Sequence, residues 1–147
     1  MTKDIKKFQD LSLEEKKEVL EWRNSDFVRQ FMYDKNKISL QNHLKFIDNL
    51  DEKKIYLKVA DLGVVNFKIF DKYVEFGIHK NPYKQKVGSK LLEIGINEAF
   101  KYQNKIILYV YEDNIKAINL YKKFGFIEVD KKDNLIKMEL KNENRTV

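Results

Sequence analysis

Apolar positions along the chain change their period several times, and each change marks a new kind of element. Leu13, Val19, Leu20 and Trp22 recur near helical spacing after Ser12 and Glu15, a pair whose separation is that of a capping box. Ser39 opens a second helix with Leu40, His43, Leu44, Ile47 and Leu50 on one face. The first third therefore reads as mostly helical. From Lys54 the period falls to two: residues 55–60 and 64–70 predict strands joined by a turn at Asp61, Leu62 and Gly63, and residues 73–79 predict a third. These three form an antiparallel meander.

After Pro82 the helical period returns, with Val87, Leu91, Leu92, Ile94, Ile96, Ala99 and Phe100 on a broad apolar face. Gly95 interrupts it. A glycine inside a helix costs ~1 kcal/mol relative to alanine, so it predicts a close approach of this helix to the sheet. A strand over 106–111 follows, then a helix from about Asn114 to Phe124 ended by Gly125, and a last strand pair over 126–131 and 135–140. The series predicts a mixed α/β domain with a single sheet, extending over residues 1–141 and followed by a frayed polar tail over 142–147.

Composition narrows the chemistry. A chain of 147 residues buries roughly 70% of its unfolded surface and needs no covalent staple. The absence of cysteine removes thiol nucleophiles and thiolate metal sites and fits a reducing compartment. The net charge of +6 suggests a polyanionic ligand, but only Arg23, Arg29 and Arg145 are arginines, and the lysines are dispersed among acids. A nucleic-acid groove concentrates its charge and uses arginine forks, so no nucleic-acid partner is expected. No apolar run approaches the ~20 residues of a membrane span, and the first residues lack the apolar stretch of a signal peptide. A cytoplasmic protein with no membrane partner is the expectation.

Three segments carry candidate chemistry. In the strand over 73–79, Val74, Phe76 and Ile78 point one way and Glu75, Gly77 and His79 the other. Glu75 either pairs with a surface lysine or stands in a cleft. The stretch from Asn81 to Ser89 leads from this strand into a long helix, an arrangement whose free N–H groups can receive an anion. In the third segment Asn114 reads as an N-cap, Ala117 and Leu120 as packing, Gly125 as the left-handed residue after the helix, and Tyr121 as a phenol near these packing positions. His43 and His79 have no acidic companions at metal-site spacing, so no metal is expected.

In this order and spacing the three segments resemble the GNAT superfamily of acetyl-CoA-dependent N-acetyltransferases, over most of the chain. The resemblance implies a GNAT fold: a central, mostly antiparallel sheet of about seven strands with a splayed strand pair and helices on both faces. It implies acetyl-CoA as the acetyl donor, its pyrophosphate held by the amides of Lys84, Gln85, Lys86, Val87, Gly88 and Ser89. Backbone groups of Ile78, His79 and Lys80 would meet the pantetheine, and Asn114, Ala117 and Tyr121 would support the other side of the cofactor. The usual loop pattern, Gln/Arg-x-x-Gly-x-Gly/Ala, is departed from at Tyr83 and Lys86 and kept at Gly88.

The N-terminal third narrows the resemblance. Trp22, Arg23 and Asn24, then Phe31, Met32 and Tyr33, then Ile38 to Ile47, are similar to the N-acetyltransferases of pseudaminic acid biosynthesis, which acetylate the 4-amino group of a UDP-linked dideoxy-amino sugar. On this resemblance Arg23 and His43 face the nucleotide diphosphate, and Met32, Tyr33, Phe46 and His79 line the nucleotide and sugar pocket. Read from the residues alone, an arginine between Trp22 and Asn24 in a lysine-rich chain suggests a fork-shaped demand, the alternative being a helix-end arginine paired with Asp26. The expected partner is a small-molecule nucleotide sugar, with a homodimer left open.

Direct transfer from a thioester needs no protein nucleophile; it needs two polyanions held together, an ammonium deprotonated and a thiolate helped to leave. Glu75 is the first candidate base, acting through water, and Glu112 the alternative; Tyr121 is the candidate acid. The rival expectations are a GNAT enzyme acting on a protein N-terminus or another small amine, and a CoA-binding domain without turnover.

Overall fold

The computed structural model describes residues 4–144. Seven strands form one open sheet in the order β1-β2-β3-β4-β5-β7-β6: β1 (Ile5–Lys7), β2 (Lys54–Val59), β3 (Gly63–Ile69), β4 (Val74–Lys80), β5 (Lys105–Tyr111), β6 (Ile127–Lys132) and β7 (Leu135–Lys141). Neighbours run antiparallel except β4 and β5, which are parallel. The helices are α1 (Leu13–Asn24), α2 (Asp26–Arg29), α3 (Leu40–Asp48), α4 (Gly88–Ala99) and α5 (Ile115–Lys123).

Local chemistry accounts for the helix ends. The Ser12 hydroxyl accepts from Glu15 N at 3.1 Å while the Glu15 carboxylate accepts from Ser12 N at 3.0 Å, closing the capping box. Those bonds, with Lys6, hold the Glu15 carboxyl down at about 2. Ser39 caps α3 through Asn42 N, and Gly125 stops α5 at φ 102°. The first third is mostly helical, as expected, and adds one short strand: Ile5–Lys7 pairs with β2, Ile5 opposite Val59. Three residues are too few to show a period. Of the predicted tail, Asn142–Asn144 forms a 3-10 turn in which Asn142 N donates to Asn104 O at 2.9 Å, and residues 145–147 lie outside the described residues.

Alternation in β3 sends successive valines to opposite cores. Val65 joins Phe67, Val74, Phe76, Leu91, Leu92 and Leu108 on the α4 side, whereas Val64 joins Phe8, Leu11, Val19, Trp22 and Ile47 beneath α1 and α3. The sheet is therefore covered on both faces. Gly95 is where α4 touches it: a Cβ there would stand 2.8 Å from Phe76 Cζ and 2.9 Å from Val65 Cγ1. Gly95→Ala should lower the melting temperature, because overpacking costs about 1–3 kcal/mol and the gain in helix propensity returns only ~1 kcal/mol. Differential scanning fluorimetry reads this, and a rise in melting temperature would contradict the contact.

The feature that positions a site is the β4–β5 pair. Its ladder holds only Val74 opposite Ile106 and Glu75 opposite Ile107; beyond them the strands diverge. On the other flanks each strand stays paired along its length, β4 with β3 from Val74 to Lys80 and β5 with β7 from Lys105 to Tyr111. The result is a wedge-shaped gap in the middle of the sheet, open toward the end where β4 runs into α4.

Candidate active site

Along its β5 side, β4 has no strand partner among the described residues from Phe76 to Lys80, so the main-chain groups pointing that way are available to a ligand. The loop that follows adds donors. Lys86 turns through φ 62°, and α4 begins at Gly88 with no side-chain cap. Among the described residues, the amides of Gln85, Lys86, Val87, Gly88, Ser89 and Lys90 find no acceptor, the first α4 bond being Leu91 N to Val87 O at 2.9 Å. A run of free N–H groups at a helix N-terminus is an anion receptor. A Cβ on Gly88 would meet only Leu120 Cδ2, at 3.4 Å, so this residue keeps the space between α4 and α5 open. Lys84 departs from the expectation: its amide donates to Asn81 O at 3.2 Å and its ammonium lies 2.7 Å from Asp61 Oδ2.

Glu75, Gly77 and His79 face α1, whose Arg23 lies near both His79 and Tyr56 of β2. Arg23 Nη2 donates to the Asp34 main-chain oxygen at 2.9 Å, but among the described residues the buried Nη1 has no partner, and neither has His79 Nε2. Burial pushes the His79 imidazole down to about 4, assisted by Arg23, so it is neutral at physiological pH. Burial also lowers the Arg23 guanidinium, with Asp34 acting against it. Two buried polar nitrogens left unpaired on one wall are costly unless a ligand or water meets them. Asp26 pairs with Arg29 instead, which frees Arg23 from the helix-end role.

The depressed His79 value makes a prediction of its own. Since the unfolded histidine takes its proton first, near 6.5, and the folded one near 4, the unfolded state binds more protons in that window and stability falls as pH drops through it. Above about 6.5 the contribution is complete. Urea midpoints at pH 7 and 5 should fall further apart in the wild type than in His79→Gln; equal separations would contradict the assignment.

The segment after α2 is strapped across this face. Asn24 holds Ile38 through a bond in each direction, both 2.8 Å, Arg29 Nη1 donates to Lys35 O at 2.9 Å, and Lys35 Nζ donates to Gln30 O at 2.8 Å. The strap and α2 together reach both sides of the gap: Lys35 Nζ of the strap lies 5.3 Å from the ring centroid of Tyr111 on β5, and Lys80 Nζ of β4 lies 5.2 Å from that of Phe27 in α2. Met32 sits partly buried in it, and Tyr33 is 89% exposed. Phe46 packs edge-on to Tyr56, with centroids 4.9 Å apart, and reaches the site only through that ring.

His43 is a correction. It is buried, its Nε2 lies 2.9 Å from Lys16 O, and its ring meets Phe8 edge-on. It braces α3 against α1 and is not open to a diphosphate. A histidine on the apolar face of a helix looks the same in sequence whether it serves the core or a ligand.

The candidate acid and bases separate clearly. Tyr121 is buried in the core cluster on the α4 side, and burial pushes its hydroxyl up to about 12. That hydroxyl makes no hydrogen bond among the described residues, although the ring packs on Phe126. Glu75, on the opposite face of the sheet, forms no ion pair among the described residues despite facing Lys68 in the register. Glu112 is engaged, 2.6 Å from Lys131 Nζ, with its amide donating to Asn134 O at 2.8 Å. Asn114 caps α5, its Oδ1 accepting from Ala117 N at 3.4 Å. Tyr56 and Asn66 share the Glu75 face and were not singled out by the sequence; a polar residue within each strand's apolar run was the available signal.

The Acetyltransferase (GNAT) family matches residues 16–126, and the chain belongs to it. The chain is 36% identical over 139 residues to acetyltransferase PseH of Campylobacter jejuni serotype O:2, covering 86% of this chain and 85% of that one. It is 34% identical over 135 residues to PseH of serotype O:23/36. The crystal structure of C. jejuni PseH in complex with acetyl coenzyme A superposes with a TM-score of 0.78 at 28% identity, covering 93% of this chain and 96% of that one. The spermidine N-acetyltransferase of Vibrio cholerae shares the fold, with a TM-score of 0.77 at 16% identity over 95% of each chain.

The protein is thus an acetyl-CoA-dependent N-acetyltransferase. The observed gap and free amides fit that donor: a polyanion for the amides of residues 85–90 and an extended chain for the unpaired edge of β4. No helix among the described residues is long and apolar enough to cross a membrane.

Proposed function

We propose that the acceptor is the 4-amino group of a UDP-linked amino sugar of the pseudaminic acid type, acetylated by direct transfer in the cytoplasm. The observation that carries this reading is the pair of buried nitrogens without partners among the described residues, Arg23 Nη1 and His79 Nε2, on the α1 face of the sheet. A guanidinium edge without a carboxylate suits a phosphate oxygen, and a neutral imidazole suits a hydroxyl or carbonyl. Similarity to PseH supports the choice of sugar. The partner is this small molecule, with a homodimer as the assembly that sedimentation velocity would read.

Acetyl-CoA supplies an acyl group already activated as a thioester. Main-chain donors of β4 polarise the acyl carbonyl, Glu75 takes the ammonium proton through water, and the freed nitrogen bonds to the acyl carbon as the carbon–sulfur bond breaks, the nitrogen's second proton passing to the departing sulfur to give the thiol. Tyr121 donates to the departing sulfur. Because Glu75 and Tyr121 belong to opposite faces of the sheet, only the gap between β4 and β5 lets both act on one reacting centre.

The test is thiol release from acetyl-CoA with a panel of acceptors: UDP-4-amino-4,6-dideoxy-N-acetyl-β-L-altrosamine, the same sugar without UDP, spermidine, and a peptide with a free N-terminus. The UDP-linked amine should have the highest kcat/KM; preference for the polyamine or peptide would overturn the assignment. Arg23→Ala should raise KM for the UDP-sugar by about tenfold to a hundredfold and that for acetyl-CoA by less than about threefold. Equal rises would remove Arg23 from the diphosphate.

A further inference from the structure

Between Glu75 and His79 on the acceptor face stands Gly77, and the place its Cβ would take is held by Asn66. The two residues are register partners, and a Cβ on Gly77 would lie 2.6 Å from Asn66 Oδ1 and 2.9 Å from Nδ2. The carboxamide therefore lies flat on the β4 backbone. It is half-buried and has no hydrogen-bond partner among the described residues. Tyr56 stands opposite Asn66 on β2, so one row across the sheet carries Tyr56, Asn66 and the space above Gly77.

A packing role does not account for this arrangement. An apolar side chain would fill the same half-buried place, whereas the carboxamide keeps polar atoms open to solvent, and so to the polar groups of a ligand, beside the buried Arg23 Nη1 and His79 Nε2. Along β4 each two-residue step is about 7 Å, so the carboxamide stands one step from the Glu75 base and one step from the His79–Arg23 wall. An acceptor spanning that wall and the base must cross it.

We propose that Asn66 positions the acceptor nitrogen: Oδ1 accepts one amine N–H above Gly77, which orients the nitrogen toward the gap, and Nδ2 donates to a sugar oxygen. A carboxamide does this without adding a charge beside Glu75. Gly77 is glycine because any side chain there would push the carboxamide off this position. The inference rests on the nucleotide-sugar reading of the site.

The test is steady-state kinetics of the full chain with acetyl-CoA and UDP-4-amino-4,6-dideoxy-N-acetyl-β-L-altrosamine. Asn66→Ala and Gly77→Ala should each raise the acceptor KM about tenfold or more and leave the acetyl-CoA KM within about twofold, as expected for a hydrogen bond to a charged group. The double variant should be no worse than Asn66→Ala, because both changes remove one contact. Asn66→Leu keeps the shape and should match Asn66→Ala, and Asn66→Asp, which loses the Nδ2 donor and places a charge beside Glu75, should also raise the acceptor KM. A thermal shift on adding acetyl-CoA reports that each variant is folded. An unchanged acceptor KM in Asn66→Leu, equal rises in both KM values, or additive losses in the double variant would overturn the proposal while leaving the acceptor assignment intact. If the wild type releases no thiol with this sugar, that assignment falls and this proposal with it.

Discussion

Glu75→Gln is expected to lower kcat by about 10²- to 10⁴-fold with little change in the KM for acetyl-CoA, the range set by removing a general base. Glu75 is the acceptor-face carboxylate beside the closed end of the gap, and no ion pair among the described residues occupies it. Glu112 provides the contrast: Lys131 already engages it, and Glu112→Gln should cost less than about threefold. If Glu112→Gln proves the more damaging change, the base has been misassigned.

Tyr121→Phe is expected to lower kcat by about 10²-fold while acetyl-CoA binding, measured by titration calorimetry, stays within about twofold. With its hydroxyl pushed up to about 12, Tyr121 remains protonated throughout the working range and contributes no alkaline limb below that value. Outright proton transfer to a thiolate near ~8.5 would be uphill by about 5 kcal/mol, so Tyr121 acts by hydrogen bonding as the carbon–sulfur bond lengthens. Buried among apolar neighbours, the phenylalanine variant should fold normally. Full turnover in that variant would remove the tyrosine from the chemistry.

Much of the fold was legible because local signals agreed with the tertiary answer. Ser12 with Glu15 closed the predicted capping box, Gly125 ended α5, and Gly95 marked the contact of α4 with Phe76 and Val65. The alternation of residues 73–79 placed Glu75 and His79 on one face. What stayed hidden depends on partners distant in sequence. β1 exists only because β2 offers an edge, and the divergence of β4 from β5 is a property of the pair. The strap over residues 30–38 is held by side chains gripping main-chain oxygens, which leave no residue pattern. His43 and Asn66 were hidden for a related reason: what each side chain does follows from its neighbours, Lys16 and Phe8 for one, Gly77 for the other.

The central claim, that the donor lies in the gap between β4 and β5 with its phosphates on the loop amides, is tested most directly by amide hydrogen exchange with and without acetyl-CoA. Protection should appear in residues 76–80 and 85–90, and the β1–β2 ladder should exchange at an unchanged rate. Exchange left unchanged in both of those segments, with protection appearing elsewhere in the sheet, would contradict the account.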